Sequence, residues 1–322
     1  MGGKIRSELG KHVAIIVNDR TEIAVDGRTV KDLGFEVSEI AGGCVCINVQ
    51  DFTDSISSII EKLNPDVIFL EPIGIGLPSR VWATIRKNVA GRVDLAPIVV
   101  LLDTRKIHEL YKKHGGLGLT LLGHLLSQQI KDAEILVMNK VDLVPSNELA
   151  TISGYIRKIK PDSEILMTSA ETGLGFDELS RIVLNGSSKI LAPPTQETLM
   201  KHAEVVSEMS WVTEQYEVKF ENQSDILEVE RFVQEFLKEI RKEIVARRGE
   251  TVHIKLHFKT DNGSLKASLV DLSQGVKITS RISGSVRGGT LTVNFIVRKL
   301  KGEELKSCVT GVLSRIIQSC IS

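Results

Sequence analysis

Asn139-Lys140-Val141-Asp142 stands directly after the apolar run Ile135-Leu-Val-Met138. Its residue types suit recognition of a purine. A carboxylate at Asp142 can accept two hydrogen bonds, from the ring N–H and the exocyclic amine of guanine. Adenine offers no such pair and would leave a buried acceptor unmatched. Sites built on pairing of this kind discriminate by up to ~10⁴-fold or more. The stem of Lys140 can lie along the base plane, and Asn139 can tie the turn to its neighbour. One helix and one strand later comes Thr168-Ser169-Ala170, whose loop can offer a backbone N–H to the base's O6. The competing reading is a polar turn that ends a strand.

The group that should hold the phosphates is missing from the same chain. The pattern G-x-x-x-x-G-K-[ST], which cradles phosphate with backbone N–H groups at a helix N-terminus, occurs nowhere in the 322 residues. Gly2-Gly3-Lys4 is only superficially similar: no strand precedes it, and Ile5 stands where the Mg²⁺-binding Ser/Thr is needed. Hydrogen bonds to charged groups contribute ~1.5–3 kcal/mol each, so losing four costs on the order of 6–12 kcal/mol. As written, the chain is expected to hold GTP poorly and to hydrolyse it worse. The missing strand also leaves two interior sheet edges without partners, which proteins avoid. The expectation is that strand and loop are encoded upstream of Met1, with residues 2 to 12 as the tail of the helix that follows them. The alternative is a domain that has degenerated.

Composition sets wider bounds. The length of 322 residues suits two domains with a real core. Lys+Arg and Asp+Glu each count 41, which argues against a broad electrostatic footprint on nucleic acid or anionic lipid. No apolar run reaches the ~18 residues of a membrane span, and the charged start lacks the apolar core of a signal peptide. Four cysteines in 322 residues do not make a disulfide scaffold, so a cytoplasmic setting is expected.

The elements that must position these groups read as an alternating β/α chain over residues 13 to 184. Val13–Val17, Phe35–Ile40, Val67–Leu70, Ile98–Leu102, Ile135–Met138 and Ile165–Met167 are short runs, several of them continuously apolar. Such runs suit strands covered on both faces of a parallel sheet. Helical periodicity falls between them, at Thr53–Leu63 and Leu121–Ile130 among others. The fold class is α/β, a doubly wound, mostly parallel sheet, and such sheets bind ligands in loops at the carboxyl ends of their strands. The expected domains are a nucleotide-binding domain at 1–190, a linker and connecting helix at 191–210 around Pro193-Pro194, and a smaller α+β domain at 211–322. In the last, residues 211 to 220 read as a strand. Asp225-Ile-Leu-Glu228 fits a capping box opening a helix to about Arg248. Strands follow at 252–259, 265–271 and 290–298, and a final helix at about 303–320.

Taken in order, the motifs resemble those of the CobW-type (CobW/HypB/UreG-like) GTPases, relatives of nickel-insertion GTPases that serve metal or cobalamin trafficking. Val13-Ala-Ile-Ile-Val-Asn18-Asp19 with Asp26-Gly27 is similar to the family's V-N-E…D-G segment. Glu39-Ile-Ala-Gly-Gly-Cys44-Val-Cys46 resembles E-x-x-x-G-C-x-C-C, with Ile47 in place of the last cysteine. Phe69-Leu-Glu71-Pro-Ile-Gly74 with Leu77-Pro78 is similar to the E-x-x-G-x-x-x-P switch, and Gln129–Asp142 to the Q-I-x-x-A-D…N-K-x-D run. The resemblance covers residues 13 to about 184; the C-terminal domain matches loosely.

The resemblance implies roles. Glu71 reports the γ-phosphate and Mg²⁺ state or orients the attacking water, and Gly74 lets backbone approach the phosphate. Asp26 is implied as a carboxylate behind the direct Mg²⁺ ligands. Cys44 and Cys46, two apart after Gly42-Gly43, can project thiols to one side, and thiolates suit Zn²⁺ and other borderline metals such as Co²⁺. Two ligands do not close a tetrahedral site, so Glu39, a histidine, water or a second subunit must complete it; packing in a buried loop is the competing reading. The implied function is a GTP-dependent metallochaperone or cobalamin/corrinoid-assembly factor with slow hydrolysis coupled to delivery. Its partners are a guanine nucleotide, a client metalloenzyme or corrinoid protein and, in some versions, a second copy. The alternative is a non-hydrolysing partner-binding module of the same fold.

Other metal-capable residues read as structural. His253 and His257 lie on one strand face about 13 Å apart and are expected on a solvated surface. His108, His114 and His124 read as surface or capping groups. Asp103 reads as structural, and Cys308 and Cys320 as core.

Overall fold

The computed structural model describes residues 2–18, 34–40, 49–89, 91–117, 121–189, 192–269 and 276–319. Asp26, Cys44, Cys46 and Cys320 lie outside these, as do the side chains of Glu39 and His114. The chain divides into two compact units, one of Met1–Asn18 with Gly34–Val205, the other holding Val206–Ser322.

The first unit begins with helix α1 (Gly2–Leu9) and then alternates. Its elements are β1 (Val13–Asn18), β2 (Glu36–Ile40), α2 (Val49–Leu63), β3 (Val67–Glu71), α3 (Pro78–Val89), β4 (Val99–Asp103), α4 (Thr104–His114), α5 (Leu121–Asp132), β5 (Ile135–Asn139), α6 (Ser146–Ile159), β6 (Glu164–Met167), α7 (Phe176–Asn185) and α8 (Gln196–Ser207). Pairing is parallel throughout. The strands form two three-stranded sheets, β2-β1-β3 and β4-β5-β6, rather than one. Among the described residues β2, β3, β4 and β6 are each an end strand.

Each sheet is built as its residues dictate. β5 lies between two neighbours and is apolar on both faces, with Ile135, Leu136, Val137 and Met138 at most 2% exposed. Leu136 and Met138 pack with Ile107 of α4, Ile130 of α5, and Ile152 and Ile156 of α6. Ile135 and Val137 turn the other way, onto Leu179 and Val183 of α7. Helices on both faces make this half doubly wound. β4 departs from the covered-strand expectation: Leu101, at its centre, is 59% exposed, which follows from its place at the end of a sheet.

The second unit is an antiparallel sheet, order β10-β9-β8-β11-β7. Its strands are β7 (Met209–Ser224), β8 (Glu250–Thr260), β9 (Gly263–Leu269), β10 (Lys277–Ser280) and β11 (Val286–Arg298), joined by α9 (Ile226–Ala246) and α10 (Gly302–Ser319). Alternation along β8 and β11 puts Ile254, Leu256, Phe258, Leu291, Val293, Phe295 and Val297 on one face. There they pack against Val233, Phe236 and Ile240 of α9 and Val309 and Val312 of α10. Cys308 is in this core, 3% exposed, and burial pushes its thiol pKa up.

His257 corrects the solvated-face expectation, being only 3% exposed. β8 is an inner strand, and His257 sits in register between Thr292 on β11 and Lys266 on β9. Alternation assigns a residue to a face, but it does not say how completely neighbouring strands cover it.

The start of α9 shows local chemistry deciding a boundary. Asp225 accepts from the Glu228 amide at 2.9 Å, and the Glu228 carboxylate accepts from the Asp225 amide at 3.0 Å, a complete capping box. Asp225→Ala is expected to cost this unit about 1 kcal/mol, read as a lower urea midpoint by Trp211 fluorescence in a Trp82→Phe background.

Candidate functional site: the turn after the fifth strand

β4, β5 and β6 run in register so that Asp103 lies beside Asn139 and Met167 beside Met138. The parallel arrangement brings three strand ends together, where a doubly wound sheet offers a ligand site. The Asn139 side-chain oxygen accepts from the Ala170 amide at 3.0 Å and lies 3.3 Å from the Thr168 hydroxyl. Backbone bonds continue the tie: Thr168 N–H to the Met138 carbonyl at 2.8 Å and Val141 N–H to the Thr168 carbonyl at 3.3 Å. The turn and the loop after β6 are thus stitched into one surface, the role expected of Asn139.

Lys140 has a left-handed backbone, φ 63° and ψ 34°, ahead of a 3₁₀ turn over Val141–Leu143. Its ammonium reaches to β5's other neighbour, β4, and meets Asp103 Oδ2 at 2.5 Å. Asp103 Oδ1 accepts from the Lys106 amide at 3.1 Å and caps α4. One carboxylate therefore starts a helix and fixes the lysine. Both contacts are structural, in line with the reading of Asp103 from the sequence. The pairing depends on strand register, and its one local signal is an acidic residue closing an apolar strand.

Asp142 is exposed, while Val141 beside it is buried. No hydrogen bond to its carboxylate is present among the described residues. Ser169 is 1% exposed. Its amide donates to the Leu174 carbonyl at 3.1 Å, and its hydroxyl accepts from the Thr172 amide at 3.2 Å. With the Ala170 amide engaged by Asn139 and the Thr168 amide by Met138, each N–H of the loop expected to offer a donor to the base's O6 is satisfied within the protein. Gly175 closes the loop at φ 76°, where a Cβ would stand 2.3 Å from the Met167 carbonyl oxygen. Only glycine fits there.

Glu71 ends β3 in the other sheet of this unit, and Gly74 lies in the loop after it. Glu71 is exposed. Gly74 is exposed, and a Cβ on it would meet nothing within 4 Å. Space for an approaching group is present; crowding gives no reason for glycine. The described residues contain no group of three histidine, cysteine, aspartate or glutamate side chains able to hold a metal ion. His108 lies 3.3 Å from Glu148, which also pairs with Lys112; that lysine above all holds the Glu148 carboxyl below its usual range. Among the described residues no helix is long and apolar enough to cross a membrane.

Comparison with known proteins follows the same outline. Residues 4–167 match the family model for the CobW/HypB/UreG nucleotide-binding domain. The chain is 22% identical over 196 residues to a zinc-regulated GTPase metalloprotein activator of Dictyostelium discoideum, covering 51% of this chain and 41% of the relative. It is 26% identical over 165 residues to zinc chaperone CobW of a Sinorhizobium species, covering 44% and 47%. With zinc chaperone YeiR of Escherichia coli it shares 29% over 140 residues, 42% and 40%. The matched stretch is thus less than half the length of each of these relatives. Among solved structures, Zn(II)-bound YjiA GTPase from E. coli aligns over 94% of this chain and 90% of that one, at 14% identity and TM-score 0.37. The hydrogenase maturation factor HypB from Archaeoglobus fulgidus aligns over 57% and 80%, at 19% identity and TM-score 0.38.

Proposed function

The chain belongs to the CobW/HypB/UreG nucleotide-binding family, and from that premise we propose that it is a guanine-nucleotide-binding metallochaperone whose cargo is zinc. The observation that carries the reading is the turn at Asn139–Asp142. Asn139 is tied to the loop after β6 and Lys140 to Asp103, so Asp142 is presented on a braced support. A base seated on this surface would bury the Asp142 carboxylate against its N–H and amino groups. Asn139, Ser169 and Ala170 shape the support, and Lys140 flanks the base. Glu71, Gly74 and Asp26 are proposed as groups that respond to the phosphates and their Mg²⁺.

Zinc is preferred over Co²⁺ as cargo because the similar CobW and YeiR are named zinc chaperones. Its proposed donors are Cys44 and Cys46, which lie outside the described residues, so no coordination geometry is assigned. Thiolates suit the ion, and two need help from another side chain, water or a second copy. Delivery to a client metalloprotein completes the proposal; slow GTP hydrolysis belongs to it only where a G-x-x-x-x-G-K-[ST] loop, absent from these 322 residues, holds the phosphates.

Equilibrium binding tests it, with fluorescent GDP, GTP and ADP analogues carried to millimolar concentration, because the phosphate-loop contacts are missing, and with Zn²⁺ and Co²⁺. The expected result is guanine preference of at least a hundredfold, and zinc binding that Cys44→Ala with Cys46→Ala removes. Equal affinity for ADP, or no nucleotide binding, overturns the reading in favour of a partner-binding module.

A further inference from the structure

We propose that Gln129 and His202 clasp the loop between β3 and α3, fix the backbone at Gly74, and pass its movement to α8. The inference rests on the nucleotide reading above for what moves the loop, but not for the clasp itself.

Four successive carbonyls of this loop have donors. Ile73 O accepts from the Gly76 amide at 2.7 Å. Gly74 O and Gly76 O accept from one nitrogen, Gln129 Nε2, at 3.0 and 2.9 Å. Ile75 O lies 2.8 Å from His202 Nε2. A carbonyl only accepts, so the amide nitrogen of Gln129 must face the loop and His202 must carry its proton on Nε2. The two hydrogens of the Gln129 amide are thereby both used.

The clasp continues into the next helix. Asp132 Oδ2 accepts from the Ser79 amide at 3.0 Å and from its hydroxyl at 2.5 Å. Its other oxygen accepts from Gln128 at 3.0 Å. Ile75 and Leu77 are buried at 6% and 2% exposure, whereas Gly74 is exposed with open space around it. The loop has pinned flanks and an open tip.

Both holders lead elsewhere. α5, with Gln129 and Asp132, runs within three residues into β5, which ends at Asn139. His202 sits on α8, the helix the chain follows into its second unit. A shift of the loop that carries Gly74 O off Gln129 and Ile75 O off His202 breaks bonds to both holders, which gives coupling a physical carrier: a loop with a held and a released arrangement.

Hydrogen exchange on the full chain tests this in two arms. Without nucleotide, Gln129→Met (length kept, donors removed) and Gln129→Glu are expected to speed exchange across residues 72–80 by about tenfold, the loss of two hydrogen bonds. His202→Phe should speed it less, and His202→Gln should restore it. Trp82 fluorescence checks that each variant is folded. Unchanged exchange in folded Gln129 variants overturns the clasp. With guanine nucleotide, the wild type should change exchange in both 72–80 and 196–207. His202→Phe should lose the second response and keep the first; a retained α8 response overturns the transmission step. If nucleotide alters neither segment in the wild type, transmission is overturned as well. Should nucleotide fail to bind at all, the functional reading falls while the nucleotide-free arm still decides the clasp.

Discussion

Asp142→Asn is expected to erase the preference for guanine over adenine nucleotides, with GDP affinity falling by about 10²- to 10⁴-fold. The magnitude follows from two hydrogen bonds to a charged acceptor, each about 1.5–3 kcal/mol. The replacement keeps the shape of the side chain and removes its charge. It also puts an N–H donor where guanine presents donors of its own. The fold should be unaffected, because Asp142 is exposed and holds no other described group. Titration with fluorescent GDP and ADP analogues measures the ratio. A variant that still prefers GDP by the wild-type margin would place base recognition elsewhere.

Phe295→Ala is expected to destabilise the second unit by about 3–5 kcal/mol. Phe295 is 0% exposed and stands on β11, beside Ile254 of β8 and Val212 of β7. It belongs to the core under α9 and α10. Truncation removes a ring from a layer held between a sheet and two helices, where little can collapse into the space. The protein carries two tryptophans, one per unit: Trp82 on α3 and Trp211 on β7. Single-tryptophan variants read each unit by itself in urea. The Trp211 transition should move to lower urea while the Trp82 transition stays. Movement of both together would show that the two units unfold as one.

Much of the architecture was legible because its strands are continuous apolar runs. Val13–Val17 and Ile135–Met138 could only be covered strands, and their parallel pairing followed from the helices between them. α9 was readable from its first four residues because a capping box is local chemistry. β10 was missed for the opposite reason: Lys277-Ile-Thr-Ser280 is short, polar and at a sheet edge. The site was legible in its letters and not in its wiring. Asn139's tie to Ala170 follows from adjacent strand ends. The Lys140–Asp103 pair needs the register of β4 on β5, and the His202–Ile75 bond joins residues 127 positions apart. Beyond an acidic residue closing the apolar run of β4, nothing in either local sequence announces such contacts.

The backbone of Lys140 carries a last consequence. A residue with a Cβ held in the left-handed region bears about 1–2 kcal/mol that glycine is spared. Asparagine, too, is at ease there. A saturation screen scored on thermal stability alone should therefore welcome Gly or Asn at position 140. The same substitutions cut the tether to Asp103, so a screen scored on ligand retention should reject them. The two rankings should invert at this codon, which makes it a place where optimising the scaffold for robustness would quietly dismantle its purpose.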